Sequence, residues 1–362
     1  MTSTSFPRNA EDWRGRFIFD MADSISQQPG IALSLWAPGA VFPTRVANAT
    51  RSNDHAWLGK MSDAGGIAHL LRTQKTRGMA WMVGLLWRLR RLYRQHDETD
   101  VVHVNWLQNA LPLIGLKRHI LITVLGSDYG LIQMPGMKSA LRLALKGKRV
   151  LIVPNADWMK PALQNAFGDL AEIRTISFGV DERWFGVQRI LPKHPEWLVV
   201  SRLTRGKLGA LLEWGEGLFG ADRTLHLLGP MQENITLPNW IKYHGATFPT
   251  ALCNEWFPRM TGLLTLSTHP EGRPQVMIEA MASGLPVIAS EQPAHRDLIK
   301  HGVTGWLINS RDALQTALSQ AEFPERNIAV GLAARTHVQT NIGTWQNCAQ
   351  RFVQAYHDLA RT

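Results

Sequence analysis

Residues 268–290 read THPEGRPQVMIEAMASGLPVIAS. The apolar run Leu263–Ser267 just before them has the character of a buried strand. His269–Arg273 reads as a short loop. Pro274 suits the first turn of a helix, where a missing N–H costs nothing. The helix is expected to run to about Ser283 and to close on Gly284, a good C′ residue. Pro286 then opens the next strand, Pro286–Ala289. A strand, loop, helix and strand in this order form a unit of a parallel α/β sheet.

Two carboxylates frame this unit. Glu271 lies in the loop, and Glu279 lies roughly one and a half turns into the helix. Between them the backbone N–H groups near Gln275, Val276 and Met277 are expected to be unpaired helix-start donors, a natural phosphate site. An anion site flanked by two hydrogen-bond acceptors suits a diphosphate with sugar hydroxyls on one side and ribose hydroxyls on the other. The plainer alternative is that Glu271 caps the helix and Glu279 lies on its solvated face. His269 and Arg273 stand beside Glu271, placed either for donor-sugar oxygens or for solvent.

The same alternation extends in both directions. Strands are expected at Ile31–Trp36, Val101–Trp106, Ile120–Leu125, Val150–Val153 and Ile173–Phe178. A second set follows at Trp197–Ser201, Leu225–Leu228, Trp240–His244, Leu263–Ser267, Pro286–Ala289 and Trp306–Ile308. Most are near-continuous apolar runs, as in parallel strands covered on both faces. Two doubly wound α/β domains are therefore expected, 1–185 and 197–342. The stretch 186–196 between them, with two prolines and little periodicity, reads as a linker. Ligands of such sheets bind beyond the carboxyl ends of the strands.

Composition narrows the partners. The chain has 362 residues and a formal net charge of +10. Residues 1–185 hold 23 Lys/Arg against 15 Asp/Glu, and residues 186–362 hold 16 against 14. The basic excess thus belongs to the first half and implies an acidic partner there: nucleic acid, anionic lipid or a phosphorylated substrate. Cys253 and Cys348 are far apart and carry no zinc or redox spacing. No apolar signal segment opens the chain, and the apolar runs are too short to cross a bilayer. A cytoplasmic protein, or one peripheral to the inner leaflet, is expected.

The 268–290 string resembles the E-x7-E signature of retaining glycosyltransferases of the GT-B fold, family 4 (group 1) type, which reads EG-x-P-x-x-x-x-EAMA-x-G-x-PV. Other segments are similar to that family's. Ser201–Gly209, SRLTRGKLG, resembles GRL-x-x-x-KG, with Leu208 where the family has Gly. Leu225–Gly229 and His301–Leu307 resemble later family turns. In the first half, Phe6–Phe17 resembles the opening loop, with only Met1–Ser5 before it, so the first strand is expected to be very short or to start upstream. Asp100–Trp106 resembles D-x-x-H-x-H-W with Asn105 for the second His. Thr123–Asp128 resembles T-x-HGSD with Leu125 for the His. Phe178–Phe185 resembles GVD-x-x-x-F.

The resemblance implies GT-B, two Rossmann-like domains facing a cleft, with a helix in 343–362 crossing back to the first domain. It implies that Arg202 and Lys207 hold the donor diphosphate with Gln275, Val276 and Met277, neutralising charge on the departing nucleotide. Glu271, Arg273 and Pro274 would meet the donor sugar, and Glu279 the ribose. Candidate catalytic residues are Glu271, Asp128 and His103. Gly65 and Gly66 form a candidate substrate loop or an ordinary tight turn. The donor, a nucleoside diphosphate sugar (UDP-linked first, GDP-linked second), is a co-substrate, and no cofactor or metal is implied. The expected acceptor is a cell-envelope glycan or a lipid-linked glycan.

Residues 72–94, RTQKTRGMAWMVGLLWRLRRLYR, carry seven Lys/Arg and no acid. Arg72, Lys75, Arg77, Trp81, Trp87, Arg88, Arg91 and Arg94 are expected to contact an anionic membrane surface, as basic amphipathic helices with edge tryptophans do. The alternative is a packed helix with a solvated basic face. Three other functions compete with transfer: a sugar-nucleotide 2-epimerase of the same fold, a basic nucleic-acid-binding protein, and a non-catalytic homologue suggested by Leu125. No nucleic-acid-reading module is visible, so nucleic acid is not the expected partner.

Overall fold

The structure is a computed structural model. It describes residues 1–362 except Ala10, Glu11, Trp13, Ala40, Asp97, Ser127 and Thr362, and except the side chains of Ala68 and Arg72. The opening loop Phe6–Phe17, the TVLGSD segment and the membrane assignment of Arg72 therefore lie partly outside the described residues. The chain forms two compact units, Met1–Phe178 with Trp345–Thr362, and Gly179–Thr344.

In the first unit, β1 (Leu33–Leu35) pairs with β2 (Val46–Asn48), and β3 (Val101–Asn105), β4 (His119–Val124), β5 (Val150–Pro154) and β6 (Glu172–Ile173) pair in sequence order. Thr2 joins the two sets, making parallel bridges to Trp36 and to Val104. The short opening strand is thus a single bridged residue. All pairings are parallel. Apolar side chains of β3–β5 alternate between two cores. Val104, Ile120, Ile122 and Ile152 face the helix Lys75–Gln95, while Leu121, Leu151 and Val153 face the helices Arg16–Ser26 and Trp345–Ala360. Continuous apolar strands and two covered faces are one physical fact: each face needs its own helices.

In the second unit, β7 (Glu196–Val200), β8 (Thr224–Leu228), β9 (Ile241–Tyr243), β10 (Gly262–Thr265), β11 (Val287–Ser290) and β12 (Trp306–Ile308) form one parallel sheet. Its strand order is β12-β11-β10-β7-β8-β9. Renumbered within the unit, this is the Rossmann order 3-2-1-4-5-6, whose winding reverses between β7 and β10.

The division falls at Phe178, seven residues before the sequence-based one. Val180, Trp184 and Val187 pack into the second unit's core. Residues 186–196 are also anchored. The Arg189 guanidinium donates to the carbonyls of Gly284 (2.6 Å) and Met260 (2.9 Å) and to Asn327 Oδ1 (2.9 Å), and Ile190 N–H donates to Pro258 O (2.7 Å).

The basic stretch corrects its sequence reading in part. Asp54 of the helix Ser52–Asp63 accepts from Arg91 (2.9 Å) and pairs with Arg88 (3.2 Å). Arg88 lies over Trp57 (4.2 Å), and Trp57 packs on Trp81. Arg88, Arg91 and Trp81 are therefore held in contacts within the unit and are not free for a membrane. Lys75, Arg77, Trp87 and Arg94 are exposed. Met79, Val83 and Trp87, spaced four apart on one face, are 50%, 61% and 57% exposed.

Candidate functional site

Lys207 and Glu271 reach their positions through short local structure. After β7 the chain turns into the helix Arg205–Leu208. Thr204 caps this helix, its side chain accepting from Lys207 N–H at 3.2 Å. Gly209 ends it at φ +54°, where a Cβ would run into the Leu266 carbonyl. The glycine that the resemblance looks for at 208 is thus one residue later, and Leu208 is buried in its place.

After β10 the loop folds back on this helix. The Gly206 carbonyl accepts from Thr268 N–H (2.8 Å) and His269 N–H (3.1 Å). Ser267 Oγ accepts from His269 N–H (3.1 Å) and donates to Glu271 (3.3 Å). These bonds bring the Lys207 ammonium to 2.5 Å from Glu271 Oε1, with side chains only 15% and 16% exposed. Burial lowers the Lys207 pKa and Arg202 adds to this, while Glu271 opposes both. Arg202 is exposed. The pair spans the ends of β7 and β10, where the winding reverses, which is where open α/β sheets hold ligands.

A second layer supports the loop. Ser290, at the end of β11, donates to Ser267 O (2.7 Å), and His295 Nδ1 lies 2.7 Å from Ser290 O. Burial holds the His295 pKa low, so the ring is neutral and Nδ1–H is the donor. These residues were not visible as site residues in the sequence. Ser267 and Ser290 at successive strand ends were the available signal.

The remaining donor-site candidates divide. Pro274 precedes the helix Gln275–Ala282, and its carbonyl accepts from Met277 N–H at 3.2 Å. Met277 is therefore not an open donor, which corrects that expectation; Gln275 and Val276 open the helix. Gln275 Nε2 donates to Gly179 O (2.9 Å). Arg273 pairs with Asp297 at 2.5 Å and its side chain is only 5% exposed. It braces the loop and does not present itself to a sugar. Glu279 is half-buried, and its charge is felt by Cys253, whose thiol pKa is raised mainly by burial.

In the first unit, His103 is a core residue. Its Nδ1 is 2.6 Å from the Tyr356 hydroxyl and its Nε2 is 2.6 Å from Thr123 Oγ1, and the ring stacks on Phe352. Burial pushes its pKa well below the ordinary value. With both nitrogens occupied and 2% exposure, it cannot serve a substrate. Asp128 is likewise a buried clamp: its two oxygens accept from Leu107 N–H and Leu125 N–H, each at 2.9 Å. The Leu107 bond secures the turn at Trp106, a non-glycine residue at φ +69° and so a strained conformation for a bulky side chain. Gly65 and Gly66, at φ +84° and +81°, make the tight turn between the helices Ser52–Asp63 and Ile67–Thr73.

Burial raises the Asp128 pKa to about 6, with the backbone donors opposing. An unfolded Asp releases its proton near pH 3.9. Between these values the folded state binds more protons, so this group's contribution is full below about pH 4 and is lost as pH rises to about 6. Denaturant unfolding of wild type and Asp128→Asn across pH 4–7 should show the wild-type margin shrinking through that window. A constant margin would refute this reading of Asp128.

Residues 216–321 match the family model "Glycosyl transferases group 1". The chain is 45% identical to the amylovoran biosynthesis glycosyltransferase AmsK of Erwinia amylovora over 75 residues, 19% of this chain and 18% of that protein. It is 25% identical over 291 residues to a GDP-mannose-dependent alpha-(1-6)-phosphatidylinositol monomannoside mannosyltransferase of Mycobacterium tuberculosis, covering 69% of this chain and 74% of the relative. A glycosyltransferase structure from Rickettsia africae superimposes with a TM-score of 0.69 at 17% identity, covering 96% of this chain and 95% of that one. Residues 216–321 of the second unit thus match a group 1 glycosyltransferase domain, and the chain as a whole has the GT-B fold.

Proposed function

We propose that the protein is a retaining glycosyltransferase that moves a hexosyl unit from a nucleoside diphosphate sugar to a cell-envelope glycan or a lipid-linked acceptor. The observation that carries this reading is the Lys207–Glu271 pair at the reversal of the sheet. A cation paired with a carboxylate there suits the two ends of an activated sugar. Lys207, joined by Arg202 and the helix start at Gln275 and Val276, would neutralise the diphosphate as the glycosidic bond breaks. Glu271 would accept from donor-sugar hydroxyls and Glu279 from the ribose. Similarity to a phosphatidylinositol monomannoside mannosyltransferase and to an amylovoran biosynthesis glycosyltransferase favours envelope glycans.

A thermal-shift panel of nucleotides and nucleotide sugars tests the donor reading, since a ligand that binds only the folded chain raises its melting temperature. UDP-linked ligands should rank first and GDP-linked second, and Glu279→Ala should remove most of the shift. A full shift retained in that variant would reject the ribose assignment. Proton NMR of the product anomer then decides retention.

The exposed stripe Met79, Val83 and Trp87, with Lys75, Arg77 and Arg94 on the same helix, supports docking on an anionic membrane. Apolar residues enter the headgroup region while cations meet lipid charge. Removing Lys75 and Arg77 together (both to Gln) should weaken binding to anionic vesicles about tenfold or more, at about 1 kcal/mol per charge. Equal sedimentation with neutral and anionic vesicles would reject docking.

A further inference from the structure

The loops that enter β3, β4 and β5 line a depression of about 570 Å³. These loops lie at the opposite ends of the strands from Asp128. Among the described lining residues, Lys117, Arg118, Lys148 and Arg149 contribute four positive charges against the carboxylate of Asp100, and Glu98 beside it also feels Arg118. His119 adds a ring whose buried Nδ1 has no hydrogen-bond partner among the described residues. Gly147, at φ +71° with open space around it, leaves the floor uncrowded.

Helix-end chemistry accounts for part of this charge. Arg118 donates to Tyr93 O near the end of the helix Lys75–Gln95 (3.2 Å), and Arg149 donates to Asp358 O (2.8 Å) and to Arg361 O. Cations suit such carbonyl-rich ends. Lys117 and Lys148 are not explained in this way. Neither joins an ion pair among the described residues, and the Lys148 ammonium makes one long contact, 3.4 Å, to Lys146 O. Lys148 is also half-buried beside Arg90, whose own guanidinium is held by the Pro112 and Ile114 carbonyls. Burial and Arg90 both lower the Lys148 pKa, so the bare site is a place where positive charge is crowded. A bound anion relieves that crowding.

We infer that this depression binds a phosphate group carrying two or more negative charges, with Lys117 and Lys148 as its principal contacts. Two flexible ammonium groups suit a phosphate as point charges, without the fixed fork of a guanidinium pair. The volume fits a phosphorylated small ligand or headgroup. β4 has six residues, so the site lies roughly 20 Å along the strand direction from the carboxyl ends of the same sheet. A ligand here acts as an anchor or regulator, separate from any substrate held at those ends.

The test is calorimetric titration with inorganic pyrophosphate at low salt, on wild type, Lys117→Gln/Lys148→Gln and Arg202→Ala/Lys207→Ala. Wild type should show two sites. The first variant should lose one, with affinity there weakened about tenfold or more, as expected for two charge-assisted contacts; the other variant should lose the other site. Titration curves identical for wild type and Lys117→Gln/Lys148→Gln, both melting at the same temperature, would overturn the inference. Unchanged binding in Arg202→Ala/Lys207→Ala would instead count against the donor-site reading alone. Flotation with vesicles containing phosphatidic acid identifies the source. Loss of binding in the Lys117/Lys148 variant makes it a lipid phosphomonoester, and loss confined to pyrophosphate makes it a soluble phosphate; both outcomes support the site.

Discussion

Lys207→Ala is expected to lower kcat for sugar transfer, or for donor hydrolysis where no acceptor is supplied, by about 10²–10³-fold, the usual cost of removing one group aimed at developing charge. KM for the donor should rise as well, since the same ammonium would hold the diphosphate before the bond breaks, but by less than kcat falls, because the charge it meets grows in the transition state. The variant also strips Glu271 of its counterion in a site where both side chains are mostly shielded. Leaving one charge of a buried pair alone costs about 3–5 kcal/mol. Stability and rate must therefore be separated. Lys207→Ala/Glu271→Gln removes both charges and should recover most of the melting temperature, while the rate stays low. A double variant with wild-type melting and a kcat within about fivefold of wild type would reject the role given to this ammonium.

The second large effect concerns stability. Arg189 is a half-buried cation that makes no ion pair among the described residues; backbone carbonyls and Asn327 carry it. Burial lowers its pKa to about 10, and the nearby Arg335 adds to this, yet it remains charged at neutral pH. Arg189→Ala leaves the Gly284 and Met260 carbonyls without this donor. Each buried group left unsatisfied costs about 1–3 kcal/mol. A loss of about 3 kcal/mol is expected, which lowers the melting temperature of the second unit by roughly 10 °C. Arg189→Lys should recover little, since one ammonium cannot reach acceptors spread along a planar fork. Differential scanning calorimetry checks both variants. A drop under about 2 °C in Arg189→Ala would show that the guanidinium is not what secures residues 186–196.

Ten of the eleven expected strands are present, most of them because they are near-continuous apolar runs covered on both faces; the expected Ile173–Phe178 shrinks to Glu172–Ile173, sharing one residue with it, at the sheet edge. β2 was not legible: Val46–Asn48 is three residues long and exists by pairing with Leu33–Leu35 at an edge. The strand, loop and helix of residues 263–282 were legible because they are local, a strand end, a loop and a helix start close together in the chain. Misread residues have partners far away in the chain. His103 meets Tyr356, 253 positions on, and Arg91 meets Asp54, 37 positions back. No periodicity within residues 72–94 reveals that an aspartate on another helix will claim two of their arginines. Arg273 looked available beside Glu271 until Asp297, 24 positions later, took its guanidinium.

The helix Trp345–Ala360 has a consequence for biosynthesis. Its Phe352 and Tyr356 complete the pocket around His103, and Trp345, Cys348 and Ala349 close the same core as Ile18, Met21 and Leu121. A ribosome delivers residues 1–178 long before it delivers this helix, whereas 179–344 emerge as an unbroken block. The block encoded later can thus reach its native packing first, and the earlier half must wait, half-covered, with an apolar sheet face open to chaperones.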